Sequence, residues 1–408
     1  MPIGRIWVLM LIAVLGACDA PVSLRGACVG EDQQSGLRYA DCGPDAPGQI
    51  GRTGRRRAAL LQRVLVYSAR NDFDGPITSF RPDFLFYPVS AQTLVNRAVT
   101  RIRAGDYSAA IEDLDSALNF NPLAHDAFYA RGRLYVLLGQ PRQALQDLNE
   151  AWRLGGERSD IAYHRANAYR QTGRLRAALN DYDSVLRQDP QHAGAYINRG
   201  AVRALLGLMP EALSDENAAL KYQPDSREAL YNRATVTVWL GNFPAALSDF
   251  DRLIERFPGD LALYHSRAAA LALSGNITAA KADYQRLLDE MPDDAEALIG
   301  RGRLRAREGD HNLAVLDFNH ALRVRPGDAG AVLARGQAYR ALGRLPEALE
   351  NLDAAIQWVL GTPGAPGLAE AYTARAALLR QMGDMARASA DEARAAELAT
   401  RPQSAGAR

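Results

Sequence analysis

Small and apolar positions recur along residues 91–402 with a period of 34, and each period divides into two helix-length runs about a glycine. Gly105, Gly139, Gly173, Gly207, Gly241, Gly275, Gly309 and Gly343 stand 34 residues apart without a slip, and Gly383 follows after six extra residues. A period of this length predicts stacked helix–turn–helix units. Each glycine marks the reversal between two helices, where positive φ is needed. Five residues later comes alanine, at Ala110, Ala144, Ala178, Ala212, Ala246, Ala280, Ala314, Ala348 and Ala388. A row of that kind predicts a point where two helices approach too closely for a larger side chain. Pro122, Pro190, Pro224, Pro258, Pro292 and Pro326 lie seventeen residues past their glycines and end the second helices. Pro141, Pro210, Pro244 and Pro346 open second helices, where a missing N–H costs nothing.

The pattern resembles the tetratricopeptide repeat. The turn glycine, the alanine after it and the terminal proline fall where that family has them, and its first-helix aromatic appears as Tyr135, Tyr169 and Tyr339. Its earlier small position appears as Gly132, Ala166, Gly200, Ala234, Ala268, Gly302, Gly336 and Ala376. The resemblance implies an all-α fold, a right-handed superhelical solenoid of about nine units with a short irregular N-terminal segment. The units are 91–124, 125–158, 159–192, 193–226, 227–260, 261–294, 295–328, 329–362 and 369–402, with residues 403–408 as a disordered tail. The insertion from Pro363 to Leu368 lengthens one loop between units and leaves stacking intact. Ser389 and Glu392 stand where other units place apolar residues, as the wet outer face of a last repeat requires.

Ahead of the repeats, Ile6 to Leu15 is an apolar run too short for an ordinary spanning helix. It ends in Leu15-Gly16-Ala17-Cys18, which resembles the lipobox of bacterial lipoproteins. That resemblance implies removal of residues 1–17 as a signal peptide and acylation of Cys18. An uncleaved anchor and a plain secretory signal are the alternatives. Export favours pairing of Cys28 with Cys42, closing a loop worth about 3 kcal/mol on the chain-entropy model. Residues 43–57, rich in glycine, proline and arginine, complete a lipid-anchored linker over 18–57. Residues 58–70 have helical periodicity. Phe73, Phe80, Phe84, Phe86 and Tyr87 follow among three prolines, so 58–90 is expected to form a helix plus an aromatic segment capping the first repeat. An aromatic patch that binds a partner is the sharper alternative.

One feature departs from the family. Arginine replaces the usual leucine at Arg97, Arg131, Arg165, Arg199, Arg233, Arg267, Arg301, Arg335 and Arg375. Sixteen residues further on stand Asp113, Asp147, Asp181, Asp215, Asp249, Asp283, Asp317 and Asp391, with Asn351 the exception. A half-buried guanidinium requires an acceptor, and a carboxylate matches its planar fork. The two rows predict an internal ladder that fixes how helices stack; an anion-binding stripe would be neutralised by its own aspartates.

Formal net charge is +1, so no whole-protein field points to nucleic acid. The six histidines fall at unrelated repeat positions, and there is no His-Glu-x-x-His, Gly-x-Ser-x-Gly, phosphate loop or Cys-x-x-Cys. Neither catalytic residues nor metal ligands nor a cofactor or small-molecule substrate are expected. The family resemblance implies a non-enzymatic scaffold that binds a peptide or helical segment of a protein partner in the groove lined by its first helices. With the lipobox, it implies a cell-envelope location, lipid-anchored and facing the periplasm. A glycan- or peptidoglycan-binding module is the alternative. In the family, the second, fifth, ninth, twelfth and thirteenth residues of each first helix line the groove. Those positions hold Asp126, Tyr129 and Arg133 early and Glu296, Arg303 and Arg307 late. Between them stand Ile197, Ala201, Leu205, Tyr231, Val238, Trp239, His265, Ala269 and Leu273, an apolar stretch with a polar rim. The competing reading places Trp239 in a junction between neighbouring repeats.

Overall fold

The computed structural model describes residues 30–31, 38–39, 90–361 and 367–400. Cys18, Cys28, Cys42, the aromatic segment before Ser90 and the tail lie outside these residues, as does most of the insertion at 362–366. Two short strands, β1 (Gly30–Glu31) and β2 (Arg38–Tyr39), pair antiparallel with Gly30 opposite Tyr39. All other described elements are helices. In chain order they are α1 (Ala91–Ala104), α2 (Tyr107–Phe120), α3 (His125–Leu137), α4 (Pro141–Gly155), α5 (Ser159–Gln171), α6 (Leu175–Gln188), α7 (Ala193–Leu205), α8 (Met209–Tyr222) and α9 (Arg227–Trp239). They continue as α10 (Phe243–Arg256), α11 (Leu261–Ser274), α12 (Ile277–Glu290), α13 (Ala295–Arg307), α14 (His311–Val324), α15 (Ala329–Ala341), α16 (Leu345–Gly361), α17 (Leu368–Gln381) and α18 (Met385–Thr400). Odd-numbered helices are the first of each repeat and even-numbered ones the second. The chain divides within α7 into two compact units, at Val202 and Arg203.

The turn glycines have φ from +66° to +92°, and the residue after each donates its N–H to a carbonyl five residues back, as Asp106 does to Arg101 and Gln140 to Tyr135. This is the left-handed helix stop that a Cβ would strain. Five residues on, all nine alanines of the row are fully buried. The other small position works by direct contact: a Cβ on Gly132 would lie 2.7 Å from Leu148 Cγ, and one on Gly302 2.7 Å from Phe318 Cε1. In the first unit the core runs from Leu94, Leu114 and Leu134 through Leu148 and Ile161 to Tyr182 and Val185. In the second it runs from Met209 and Val236 to Leu287, Leu298, Phe318, Leu352 and Leu378. Within each unit, first helices of neighbouring repeats touch, as α3 does α5 and α13 does α15. They form one face, on which side chains from successive repeats stand side by side.

The arginine rows meet their aspartates. Arg131 donates from Nε and Nη2 to the two carboxylate oxygens of Asp147, both at 2.7 Å, and Arg165–Asp181 and Arg233–Asp249 repeat this geometry. Arg97–Asp113, Arg267–Asp283, Arg301–Asp317 and Arg375–Asp391 are likewise bidentate. Arg199 and Asp215 fall on opposite sides of the division between units. The aspartates are buried, at 2–7 % exposure. A second rung had a sequence signal two residues beyond the first: the remaining guanidinium nitrogen reaches back to the preceding repeat. Arg131 Nη1 donates to Asp115, Arg199 to Asp183, Arg233 to Asn217, Arg267 to Asp251, Arg301 to Gln285 and Arg375 to Asp353, at 2.5–3.0 Å. Each such arginine therefore joins two repeats. Arg165 stacks instead on the Trp152 ring, 4.1 Å from its centroid. Arg335 bonds two amides, Asn351 and Asn319, and has no carboxylate partner.

Candidate functional site

The predicted groove residues separate on inspection. Ile197 lies in the first unit and is half-buried. In the second unit Tyr231 is only 5 % exposed, which corrects its expected place on an open surface. Its ring meets Phe250 edge-on at 6.0 Å, and its hydroxyl shares a hydrogen bond with Ser266 Oγ at 3.1 Å. The cause is its position facing the next first helix: a long aromatic there fills the gap between α9 and α11. Burial pushes the Tyr231 phenol pKa up. Trp239 is half-buried against the cluster of Ala204, Met209, Ala212 and Val236, so it fills the junction between repeats instead of standing free. His265 is largely covered, with Nε2 3.5 Å from Glu296 and its ring edge-on to Tyr284 at 5.9 Å. Val238 and Ala269 are half-buried.

Two of the groove leucines are open to solvent: Leu205 at 39 % and Leu273 at 51 %. Leu206, Leu208 and Leu240 are exposed beside the turn glycines of the same repeats. By register they make an apolar strip across the turn ends of α7, α9 and α11, where Trp239 and Phe243 are half-buried. The register gives no signal for the turn leucines: the position of Leu206 and Leu240 holds Thr172, Ser274 or Glu308 in some repeats but Leu138 and Leu342, both half-buried, in others. Beyond the strip Arg307, Glu308 and Asp310 restore charge.

The first unit presents a different surface. Tyr129 and Tyr163 flank His164, with ring centroids 5.8 and 5.3 Å from it. The His164 pKa is lowered to about 3, by burial first and by the nearby Arg133 second. Asn198 Nδ2 donates to both Tyr163 Oη and Asn167 Oδ1, and the Tyr182 hydroxyl donates to Asn167. Those polar groups are thus bound to one another.

Among the described residues no group of three or more His, Cys, Asp or Glu side chains is placed to hold a metal ion. No described helix is long and apolar enough to cross a membrane. Stacked helix pairs with a first-helix face, left-handed glycine turns and alanine contacts define a helical-repeat protein. The tetratricopeptide repeat family matches residues 95–159, 217–261, 267–329 and 309–368, and a second repeat profile, described as TPR repeat, matches 166–207. The chain belongs to the tetratricopeptide repeat family, whose members are protein-interaction scaffolds. Among curated proteins there is no match.

Similar solved structures include a tetratricopeptide repeat protein from Parabacteroides merdae, at 26% identity over 57% of this chain and 93% of that one, with a TM-score of 0.45. YrrB, described as a TPR protein with an unusual peptide-binding site, is 23% identical over 46% of this chain and 97% of that one, with a TM-score of 0.41. Yeast Tom70 is 14% identical over 85% of this chain and 92% of its own, with a TM-score of 0.45.

Proposed function

We propose that this chain is a lipid-anchored scaffold of the bacterial cell envelope that captures an apolar or amphipathic segment of a protein partner. The observation that carries the binding reading is the strip of Leu205, Leu206, Leu208, Leu240 and Leu273, each 39–51 % exposed and gathered at one edge of three successive repeats. Exposed leucines bounded by charge have the anatomy of an interface core with a polar rim. In the predicted groove a glycan ligand would call for open aromatic faces; there Tyr231 is buried and Trp239 half-covered, which favours the protein ligand. The anchoring reading rests on Leu15-Gly16-Ala17-Cys18 after its apolar run. One acyl chain binds a membrane only marginally and two hold firmly, so multiple acylation at Cys18 would confine any captured partner to the membrane surface.

Crosslinking with mass spectrometry in intact cells tests the binding reading. Crosslinks from repeats four to six to envelope proteins, reduced when Leu273 and Leu240 are both changed to aspartate, are the expected result. Crosslinks that ignore the double change would remove the strip from the interface. Metabolic labelling with a fatty-acid probe is expected to mark the wild type and not Cys18→Ser; equal labelling of both rules out acylation at that thiol.

A further inference from the structure

The second helices of repeats five and six end in charge, α10 at Arg256 and α12 at Glu290. At the same register repeats seven and eight carry Val324 and Trp358. Helix α16 then continues to Gly361, because Leu360 stands where six other repeats have their stopping proline. Val359 in that extension is buried and holds it to the core, while Leu360 is 52 % exposed. Val324 and Trp358 are also open, at 41 % and 49 %. The Trp358 ring lies on the loop between α14 and α15: a Cβ on Gly327 would stand 3.4 Å from its Cζ3. Gly327 is three residues beyond Val324, so the ends of α14 and α16 present one apolar edge. Arg323 and Arg325 flank Val324 there, both exposed. Arg325 Nη1 donates to Glu296 Oε1 at 3.3 Å, an exposed pair that contributes little. Arg323 has no carboxylate within ion-pair distance among the described residues. The one acid within 321–330 and 354–361 is Asp328, whose carboxylate caps α15 by accepting from the Ala331 N–H at 2.8 Å. One repeat earlier the same edge carries Asp289, Glu290 and Asp293.

We propose that the edge formed by Val324, Trp358 and Leu360, with Arg323 and Arg325, is a lipid contact that lays repeats seven and eight on an anionic membrane surface. The chemistry follows from the groups. Tryptophan is at home at the level of lipid headgroups, where its ring is buried and its N–H stays wet. Leucine and valine beside it enter the boundary of the acyl chains. Arginine at the same depth meets headgroup phosphates through its planar fork, and it is drawn to an anionic surface within a Debye length. The acids of repeat six repel such a surface and confine the contact to the two repeats after it. A second copy of the chain fits less well: three side chains, each about half open, fall far short of the roughly 800 Å² per partner of a stable dimer. The contact deepens the anchoring reading and rests on it, because a chain already held at a membrane by its acyl group needs only a weak second contact to fix its orientation. It lies apart from the leucine strip of repeats four to six.

The test mixes the full chain carrying Cys18→Ser, with lipid in millimolar excess, with vesicles of phosphatidylcholine alone or of an equal mixture with phosphatidylglycerol. Each vesicle is doped with a photoactivatable lipid, and the label is mapped by mass spectrometry. Label within 321–328 and 354–361 is expected, about fivefold greater on the anionic vesicles and falling with added salt. Leu360→Asp and Val324→Asp should each remove most of that label without changing the melting temperature, because both side chains already meet solvent. Arg323→Glu should abolish the preference for anionic lipid. No label at these residues on either vesicle overturns the contact, even where residues 1–17 take label. Equal label on the two vesicles overturns the anionic assignment. Dimers seen by sedimentation without vesicles and lost in Leu360→Asp would assign the edge to a second copy. Crosslinks in cells from this edge to an envelope protein, without lipid label, would assign it to a protein partner. Either result overturns the lipid contact. Acylation is absent from the variant tested, so failure of this contact and failure of fatty-acid labelling at Cys18 are separate outcomes.

Discussion

Glu216 offers a test of how tightly the repeat interior constrains chemistry. At its register seven other repeats carry Leu114, Leu148, Tyr182, Phe250, Tyr284, Phe318 and Leu352, all buried core residues, and only the last repeat has another glutamate, the exposed Glu392. Glu216 occupies the same site with no exposure at all. One carboxyl oxygen accepts from Asn232 Nδ2 at 3.2 Å, and the other has no partner. The nearest guanidinium of the same unit, Arg233, is committed to Asp249 and Asn217. Burial is the main reason the Glu216 pKa is raised well above 4.5; the Asn232 donation opposes it, and the neighbouring Asp215 adds to the rise.

An unsatisfied buried polar group costs about 1–3 kcal/mol. Burying a leucine side chain in its place contributes about 1.5–3 kcal/mol. Glu216→Leu should therefore stabilise its repeat by about 1–3 kcal/mol once imperfect packing is subtracted, whereas an average substitution destabilises by about 1 kcal/mol. The pH dependence has a definite sign. A carboxyl whose native pKa is raised contributes its stability fully below the unfolded value near 4.5 and loses it as pH climbs through the native value. The wild type should thus soften with rising pH above that point, and Glu216→Gln should remove this part of the slope. Repeat proteins need not unfold in one step. The assay is therefore hydrogen exchange of α8 and α9 across pH, beside urea unfolding. Faster exchange in Glu216→Leu than in wild type, or an unchanged pH slope in Glu216→Gln, would refute the reasoning.

Arg233→Leu should cost about 1–3 kcal/mol in urea unfolding, because Asp249 is left buried without its fork, and a joint Leu/Leu replacement of the pair should recover part of it. Asn351→Asp should raise the melting temperature by supplying Arg335 with the carboxylate that the other repeats have; an unchanged or lower value would mean that the two amides already satisfy the guanidinium. Tyr231→Ala should destabilise by about 3 kcal/mol or more by emptying the gap between α9 and α11, in contrast to an exposed contact residue, whose loss leaves the melt unchanged. Alkylation of unreduced, denatured protein should find neither Cys28 nor Cys42 free if export pairs them.

The repeat was legible in the chain because its geometry demands particular residue types at particular intervals. Only glycine rests easily at positive φ, so the row from Gly105 to Gly383 marks every turn. Only a small residue fits at Ala110 and its equivalents, so that row marks every helix contact. The ladder was legible for a related reason: a row of arginines and a row of aspartates with one period must keep one distance. Its second rung was equally present, as Asp115, Asp183, Asn217 and Asp251, but an acceptor two residues from an aspartate reads as ordinary helix surface until the fork is seen to reach back across repeats.

What the sequence alone could not decide was direction. Tyr231 and Leu273 both belong to groove positions by register, yet one is buried and the other half open. A long aromatic at the fifth position reaches the next first helix, whereas a leucine at the thirteenth stands at a helix end with nothing beyond it. Burial of this kind is a property of the neighbouring repeat, not of the residue.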